Sequence, residues 1–295
     1  TYGGIDERKK AMAYDSIELV NIYGDMVKRI KKDYGYDIQI NSRWKPQKQN
    51  YIIVIPSYNR EKLLEKTTIP LLIELDVPIY ILVDKEFKYD LPSRYKQIVA
   101  PRGIGNVRNF IRSRFNGKKV LMIDDDIESI DILDNGDLHP IWNLRKWIHD
   151  AWQRTENENV KLWGVNLYHN AFFCRKNVTT NLCYINGSFT GIDLTGKEKP
   201  LTTDVDHFED YDFSIQHFLR DKKILKFNDV CLKTKCFRKE GGIAEELGGL
   251  DIRKKKAEIN GQLLLSRYPT LVNLTFSKKF KVTNIKLKKK LNLNL

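Results

Sequence analysis

Three consecutive aspartates, Asp124, Asp125 and Asp126, directly follow the apolar run Lys119–Ile123. A buried strand that ends in carboxylates concentrates negative charge at a sheet edge, where the charges repel one another unless a cation lies between them. Side chains alternate along an extended chain, so Asp124 and Asp126 point to the same side. The pair predicts a site for one divalent cation with oxygen ligands, Mg²⁺ or Mn²⁺. The alternative is a solvated turn in which an aspartate caps a helix.

A second segment with candidate chemistry, residues 101–109, contains Gly103 and Gly105 but does not match a dinucleotide-binding fingerprint. A helix that begins near Ile104 would offer its N-terminal amides to a phosphate group. Arg108 lies one turn further along, where its guanidinium would reach a diphosphate or the three aspartates. The alternative is an exposed surface arginine.

The elements that must position these residues are visible from residue 51 onwards, where short apolar runs alternate with helical stretches. Strands are predicted at 51–55, 78–83, 97–99 and 119–123, with helices at 61–65 and 104–115. This alternation predicts an α/β fold with a mostly parallel sheet and helices on both faces. Ligands bind such sheets beyond the carboxyl ends of the strands. Residues 56–60, Asp84 and the aspartate triplet all fall at such ends.

The rest of the chain continues this pattern. Residues 141–155 predict a helix whose tryptophans, Trp142, Trp147 and Trp152, are expected in the core or at its rim. Further strands are predicted at 161–165, 182–185, 188–192 and 276–287, and helices at 208–219 and 253–267.

The length of 295 residues is enough for a full core. The predicted organisation is an N-terminal helical extension at 1–50 with a helix at 11–32, a main domain at 51–270 and a basic C-terminal segment at 271–295. Without an apolar run of about 20 residues or a signal peptide, a cytoplasmic protein is expected. The four cysteines lack CxxC spacing, which predicts reduced, buried thiols rather than a zinc site.

The net charge of +13 is concentrated near the end of the chain. From residue 251 onwards there are 12 lysines and arginines against 2 acidic residues, a local charge of +10. A basic surface attracts polyanions, of which nucleic acid is the commonest in a cytosol, and the charge alone leaves DNA or RNA open. The alternative is a solvated lysine-rich tail.

Five segments, taken in chain order, resemble one known family. They are IPSYNR at 55–60, Val83-Asp84, PRGIGNVRN at 101–109, MIDDDI at 122–127 and EDYDF at 209–213. Together they resemble nucleotide-sugar-dependent glycosyltransferases of the GT-A fold. Within that fold they are most similar to the TET-associated glycosyltransferases, phage and trypanosome enzymes that add a sugar to hydroxymethylated pyrimidines in DNA. The resemblance covers about residues 51–270 and implies a phage enzyme acting in the cytoplasm of the infected bacterium.

The resemblance implies a UDP-sugar donor, with glucose as the expected sugar, and Mn²⁺ or Mg²⁺ held by Asp124 and Asp126. Many GT-A enzymes place a metal-binding histidine late in the chain, and His207 is the candidate here. Tyr58 is expected to stack on the uracil ring, and Asp84 to hydrogen-bond the base or ribose. The residues assigned to the donor are Pro56, Tyr58, Arg60, Asp84, Arg102, Arg108, Asn109 and Asp125.

The resemblance also assigns a catalytic base to the acidic pair at 209–210, with Asp210 preferred and Glu209 as the alternative. Attack by a hydroxymethyl oxygen on the anomeric carbon needs a carboxylate within reach of the acceptor proton. The implied reaction is inverting. The alternative reading is an acidic cluster that the helix dipole favours at a helix N-terminus.

A hydroxymethyl group on a stacked base is hard to reach, so such an enzyme must flip the nucleotide or distort the duplex. The C-terminal lysines and arginines are expected to hold the DNA backbone without reading sequence. A flipped nucleotide leaves a gap in the base stack. The side chains that could fill it are Tyr168, Phe172 and Phe173, or the indoles of the 142–152 helix. Two alternatives stay open: a glycosyltransferase with a protein or glycan acceptor, and a nucleic-acid-binding protein on an inactive transferase scaffold.

Overall fold

The computed structural model of the protein describes residues 49–235, 250–278 and 281–288. The predicted helix at 11–32 lies outside these residues, as does most of the predicted extension at 1–50.

A ten-stranded sheet runs through the described part of the chain, in the order β3-β2-β1-β4-β9-β7-β10-β5-β6, with β8 paired to β10. Strands β3, β2, β1 and β4 are parallel, and β9 is antiparallel between β4 and β7. Seven of the ten strands point the same way, which confirms the prediction of an α/β fold with a mostly parallel sheet. The strands are β1 (Ile52–Pro56), β2 (Ile79–Val83), β3 (Tyr95–Val99), β4 (Lys119–Ile123), β5 (Ile127–Asp134), β6 (Asp137–Pro140), β7 (Leu162–Asn166), β8 (Val178–Thr179), β9 (Phe189–Asp193) and β10 (Leu225–Thr234).

Six α-helices lie within the described residues, together with a short 3₁₀ helix at Ala171–Phe173. None of these six is both long enough and apolar enough to traverse a lipid bilayer. The helices are α1 (Glu61–Lys66), α2 (Thr68–Leu71), α3 (Ile104–Arg114), α4 (Leu144–Asn157), α5 (Glu209–Asp221) and α6 (Leu250–Arg267).

The core occupies both faces of the sheet, because alternate residues of the central strands face opposite ways. Ile53 and Ile55 of β1 pack with residues of α1 and α4, whereas Ile52 and Val54 pack with residues of α3 and α5. Strands buried on both sides read as continuous apolar runs, which is why the sequence revealed them. The predicted helices on both faces are confirmed.

The tryptophans of the α4 region divide between core and surface. Trp152 is buried and Trp147 packs against the same cluster, in agreement with the predicted core role. Trp142 precedes the helix and is 86% exposed, so for this residue the prediction is wrong. Only residues on the face of α4 that meets the sheet are covered, and Trp142 lies outside that helix.

Several predicted elements differ in the structure. The predicted strand at 182–185 is an irregular segment, because the Ile185 amide donates to the Ser214 hydroxyl of α5 (3.0 Å) rather than to a neighbouring strand. Strands β5, β6 and β10 were not predicted. They carry polar residues among the apolar ones, since part of this side of the sheet is exposed.

The C-terminal end of the described chain forms a separate hairpin of β11 (Val272–Ser277) and β12 (Val282–Leu287) where one strand at 276–287 was predicted. Its apolar residues pack with Leu264 of α6, Ile215 of α5 and Val205. α6 ends at Arg267, as predicted from Tyr268-Pro269. The hairpin therefore rests on the helix that carries the acidic pair.

Candidate active site

A cleft opens beyond the carboxyl ends of β1, β2 and β4. It brings together side chains that are far apart in the chain, because neighbouring parallel strands end at one sheet edge. The lining includes most of the residues that sequence analysis assigned to the donor and the metal. The polar and aromatic residues lining the cleft are Ser57, Tyr58, Arg60, Asp84, Arg102, Asp124, Asp125 and Asp126.

Two adjacent threonines hold the backbone of the aspartate triplet. The Thr68 hydroxyl donates to the Asp124 carbonyl (2.8 Å), and the Thr67 hydroxyl donates to the Asp125 carbonyl (2.9 Å). The Thr68 oxygen also accepts from the Ile127 amide (3.1 Å). The triplet is therefore a fixed turn between β4 and β5 and not a solvated helix cap.

Asp125 is buried and turned toward the loop that follows β1. Its carboxylate accepts from the Ser57 hydroxyl (2.8 Å) and from Arg60 Nη1 (3.3 Å). The Ser57 oxygen is itself 3.0 Å from the Tyr89 hydroxyl. Burial raises the pKa of Asp125 to about 6. Both carboxylate oxygens already have protein partners, so Asp125 fixes the loop that lines the cleft. The sequence had not indicated Ser57 as a partner of Asp125, or Tyr89 as a partner of Ser57.

Asp124 and Asp126 have a different environment from Asp125. Burial and the charges of the two neighbouring aspartates raise the pKa of Asp126 to about 7, and Arg60 at 3.7 Å only partly offsets this. Asp124 is the most exposed of the three, with 31% of its side chain accessible. A cation beside these two carboxylates would relieve the repulsion that raises the pKa of Asp126.

The residues fit a hard divalent cation that needs few protein ligands and takes the rest from water and phosphate. Within the part of the chain that the structure describes, no three His, Cys, Asp or Glu side chains form a metal-ligand group. The His207 ring packs against Phe208 at 4.3 Å, so the structure does not bring it to Asp124 and Asp126 as the third ligand.

Asp84 and Arg102 form the wall opposite the triplet. Arg102 Nε donates to the Asp84 carboxylate (2.7 Å), and with the Glu86 amide this lowers the pKa of Asp84. The Arg102 guanidinium lies 5.7 Å from the centre of the Tyr58 ring. Arg102 was assigned to the donor without a particular contact, and the structure pairs it with Asp84 beside the aromatic ring. The wall therefore offers planar groups and a carboxylate, which suit a base and a ribose.

Arg108 is almost fully buried beside Asp124, in a small pocket that it shares with Glu209 and Asp210. Its Nη2 donates to Asp124 (3.2 Å), and its guanidinium lies against Gly187, where a Cβ atom would be 2.6 Å from Nη2. Any residue other than glycine at 187 would displace the guanidinium. The reading of Arg108 as an exposed surface arginine is wrong, because only 4% of the residue is accessible.

Asn109 points away from the cleft toward the loop before α5. Its amide nitrogen donates to the Thr203 carbonyl (2.7 Å) and its oxygen accepts from the Thr203 amide (2.9 Å). Gly105 allows the same close approach, since a Cβ atom there would lie 2.3 Å from the Val205 oxygen. Asn109 thus positions a loop, whereas the resemblance had implied a contact to the donor.

The acidic pair forms the start of α5. Asp210 accepts from the hydroxyl of Tyr184, from Asn186 Nδ2 (3.3 Å) and from the amide of Tyr211 (2.9 Å). The Tyr184 ring stacks on Tyr211 with 4.1 Å between centroids. Tyr184 and Asn186 escaped sequence analysis, because they lie in an irregular segment that looked like a strand.

The charges around the triplet affect the pKa values of the acidic pair. Burial and the charge of Asp210 raise the pKa of Glu209 to about 8, while Arg108 opposes the increase and Asp124 adds to it. Burial also raises the pKa of Asp210, and the Tyr184 hydrogen bond and Arg108 oppose that increase. Arg108 therefore lies between two acidic sites, one suited to a cation and one suited to accepting a proton.

Arg112, His217 and Asp221 form a buried network of hydrogen bonds next to this arrangement. The guanidinium of Arg112 lies 3.6 Å from the centre of the Phe213 ring and bonds His217 Nε2 at 3.0 Å. The other ring nitrogen of His217 lies 3.0 Å from the Asp221 carboxylate. Because arginine only donates, Nε2 accepts and the imidazole is neutral. Burial lowers the pKa of His217 to about 4.

No protein-family model matches this sequence, and no curated protein is similar to it in sequence. Among solved structures, TarS 1-349 from S. aureus is similar over 74% of this chain and 66% of that chain, with 12% identity and a TM-score of 0.43. The same protein in complex with UDP-GlcNAc has 14% identity and a TM-score of 0.42 over 75% of this chain and 73% of that chain. Glucosyl-3-phosphoglycerate synthase from Mycobacterium tuberculosis, in complex with Mn²⁺, UDP and glucosyl-3-phosphoglycerate, has 14% identity and a TM-score of 0.43 over 81% of this chain and 88% of that chain.

This chain spans slightly less than two thirds of TarS 1-349 and 40% of the longer TarS chain. At this distance the likeness concerns the outline of the fold, and it assigns no ligand or activity to the present protein. The chemistry of the site therefore has to be argued from its own residues.

Proposed function

We propose that this protein is a metal-dependent, inverting glycosyltransferase that moves a hexose, with glucose expected, from a UDP-sugar to the hydroxymethyl group of a 5-hydroxymethylpyrimidine in DNA. One observation carries the assignment to this class of enzyme: Arg108 lies between a carboxylate cluster suited to a cation and a buried acidic pair. Such a site can hold a diphosphate leaving group and an acceptor hydroxyl on adjacent sides. The transferase domain is proposed at 51–270, with 1–50 and 271–295 as appended segments.

The nucleotide of the donor is proposed to lie in the cleft between β1, β2 and β4. Tyr58 and Arg102 present flat surfaces to a uracil ring, and Asp84 presents a carboxylate to the base or ribose. Arg60 is held at the rim by Asp125 and Asp126, where its charge faces the diphosphate. Pro56 ends β1 and directs this loop into the cleft.

Asp124 and Asp126 are the residues proposed to hold Mn²⁺ or Mg²⁺. A bound divalent cation would supply Lewis-acid stabilisation of the charge on a departing diphosphate. Asp125 holds the loop after β1 against the triplet through its hydrogen bonds with Ser57 and Arg60. Arg108 fixes the Asp124 carboxylate and adds positive charge beneath the same position.

Asp210 is proposed to accept the proton of the attacking hydroxyl. Its three hydrogen-bond donors favour the ionised form of Asp210, whereas burial and the charge of Asp210 raise the pKa of Glu209 to about 8. A carboxylate whose pKa is raised by burial is a stronger base than an exposed one. In an inverting reaction the acceptor oxygen forms its bond to the anomeric carbon as the bond to the UDP oxygen breaks, and the acceptor proton passes to Asp210.

The DNA acceptor is supported by charge and by the family resemblance. The net charge is +13, with most of the excess after residue 250, and a polyanion is the complementary partner. A protein or glycan acceptor would use the same donor cleft. The choice between acceptors therefore has to be made by measuring transfer.

The test is mass spectrometry of nucleosides after the protein is incubated with UDP-sugars, Mn²⁺ and DNA containing hydroxymethyluracil or hydroxymethylcytosine. Hydrolysis of the UDP-sugar without acceptor is measured in parallel. We expect a hexosyl nucleoside from hydroxymethylated DNA and none from unmodified DNA. Hydrolysis without any nucleoside product would reject the DNA acceptor and keep the enzyme class, and no turnover of any UDP-sugar would reject both.

A further inference from the structure

Three aromatic side chains with no core role project from the loop that follows β7. Tyr168, Phe172 and Phe173 are 68%, 72% and 57% exposed. Phe173 lies 5.3 Å from Phe172 and 6.1 Å from Tyr168 between ring centroids, so the three rings form one surface, which we call the aromatic platform. An exposed apolar cluster of this kind marks an interaction site.

The loop is built to hold these rings in place. Asn170 caps the 3₁₀ helix at Ala171–Phe173 by accepting from the Phe172 amide (2.9 Å). Arg175 Nη1 closes the other end by donating to the carbonyls of Phe172 and Cys174 (2.7 and 2.6 Å). Cys174, between these groups, is buried. The platform is therefore anchored at both ends while its rings remain in solvent.

The platform adjoins the proposed catalytic base. The Tyr168 phenol is close enough to Tyr211 to contribute to the raised pKa of that residue, together with burial and Asp210. Tyr211 stacks on Tyr184, whose hydroxyl donates to Asp210. Tyr168 therefore lies near Tyr211 and, through the stacking of Tyr211 on Tyr184, near the carboxylate of Asp210.

The charge around the platform indicates the chemistry of its partner. Residues 167–177 contain Arg175 and Lys176 but no aspartate or glutamate. Among the residues that the structure describes, the Arg175 guanidinium donates to two backbone carbonyls and forms no ion pair, whereas Lys176 pairs with Asp134 and His169 with Asp131. A sugar-binding surface usually surrounds its aromatic rings with side chains that bond hydroxyl groups. Exposed rings beside arginine instead match the pattern of single-stranded nucleic-acid binding.

We propose that the aromatic platform stacks unpaired bases of the acceptor DNA strand next to the nucleotide that receives the sugar. This inference rests on the proposed function and names the part of the acceptor that the protein recognises. Stacking needs bases that are not already stacked in a duplex, so the platform would favour single-stranded or locally opened DNA. Every base has a π-face, so binding at the platform is expected to be largely independent of sequence.

The test is the affinity of the full chain for a fluorescent single-stranded oligonucleotide, without donor or metal. We expect the double substitution Phe172→Ala and Phe173→Ala to weaken binding about tenfold, in line with the loss of base stacking. Phe172→Leu, which keeps apolar bulk without an aromatic face, should also weaken it. Trp142→Ala tests the alternative indole: Trp142 is 86% exposed and lies outside the platform, so its loss should leave affinity unchanged if the platform holds the bases.

The outcomes separate this inference from the proposed function. If the double variant binds the single-stranded oligonucleotide as tightly as the wild type, the proposed role of the platform is rejected. An equal loss of affinity in Trp142→Ala would also reject it. Weakened binding of an oligosaccharide but not of DNA, or a changed oligomeric state of the protein, would overturn it in favour of another occupant. Weakened DNA binding in a protein that turns over no UDP-sugar would support the platform and reject the proposed reaction.

Discussion

Arg108 donates from Nη2 to the Asp124 carboxylate across 3.2 Å while only 4% of the arginine is accessible. The same guanidinium opposes the raised pKa values of Glu209 and Asp210. One buried cation therefore serves two carboxylate groups that come from strand β4 and helix α5. These groups lie about 85 residues apart in the chain, and the charge of Arg108 favours the ionised form of the acidic pair while its guanidinium bonds Asp124.

Removal of the Arg108 charge should destabilise the fold. Breaking a buried ion pair by removing one partner lowers the free energy of unfolding by about 3 kcal/mol. We expect this loss in Arg108→Met, measured by urea unfolding, and a smaller loss in Arg108→Lys, which keeps the charge without the fork. Arg154→Met is the control, since Arg154 pairs with Glu158 on the surface of α4. Equal stability of Arg108→Met and the control would contradict the role given to Arg108.

Neutralising Asp126 should raise the stability of the protein and lower its activity. Burial and neighbouring carboxylates disfavour the charge of Asp126, so Asp126→Asn should unfold at a higher temperature than the wild type at about pH 8 without metal. Sugar transfer should nevertheless fall by at least about 100-fold, the usual effect of losing a group that stabilises transition-state charge. Asp150→Asn, on the exposed face of α4, should change neither quantity. Wild-type transfer rates in Asp126→Asn would show that this carboxylate is not a metal ligand.

Substitution of Asn109 should affect catalysis more than donor binding. Asn109→Asp can still accept from the Thr203 amide but cannot donate to the Thr203 carbonyl, so the loop before α5 loses one anchor. We expect kcat to fall several-fold with little change in KM for the UDP-sugar, because the loop leads to Asp210 and not to the cleft. Asn106→Asp, one turn earlier on an exposed position of α3, is the control. A raised KM for the donor with unchanged kcat would support the donor contact that the family resemblance implied.

Acid should destabilise the protein through His217. Burial lowers its pKa to about 4, whereas an unfolded histidine titrates near 6.5. As the pH falls from about 6.5 to 4, the unfolded state binds the proton first, so stability decreases by an amount on the order of 3 kcal/mol. Arg112, Arg220 and Asp221 all face the ring.

The matched variant is His217→Gln, which can accept from Arg112 and cannot titrate. The difference in unfolding free energy between wild type and variant should shift against the wild type as the pH falls from about 7 to 4.5. Using this difference removes the contribution of carboxyl groups such as Asp125, whose raised pKa has the opposite effect. Parallel pH curves for the two proteins would mean that the imidazole is not held neutral.

The sequence alone predicted those elements whose signals lie in a short stretch of the chain. β1, β2 and β4 are continuous apolar runs, and the triplet ends the last of them, so their shared sheet edge was predictable. The start of α3 near Ile104 and the end of α6 before Tyr268-Pro269 were predicted, whereas α6 begins at Leu250, three residues before its predicted start. The hairpin of β5 and β6 was not predictable, because its strands mix polar and apolar residues and pair only with each other and β10.

The partners of the acidic groups could not be predicted from sequence. Thr68 and Tyr184 are common polar residues outside any motif, and Ser57 lies in the IPSYNR segment without an assigned role. Only the folded chain brings these residues to the triplet or to Asp210. The partner of Arg102 could not be predicted from the sequence either. The sequence assigned Arg102 to the donor but did not reveal its partner Asp84, which lies at the end of the neighbouring strand.

The most direct test of the account is calorimetric titration of UDP into the full chain with Mg²⁺ and with EDTA. If Asp124 and Asp126 hold a cation against the diphosphate, UDP should bind at least about tenfold more tightly with Mg²⁺. That difference should disappear in Asp126→Asn and persist in Asp150→Asn. Equal UDP affinity with Mg²⁺ and with EDTA, or no UDP binding in either, would contradict the central claim.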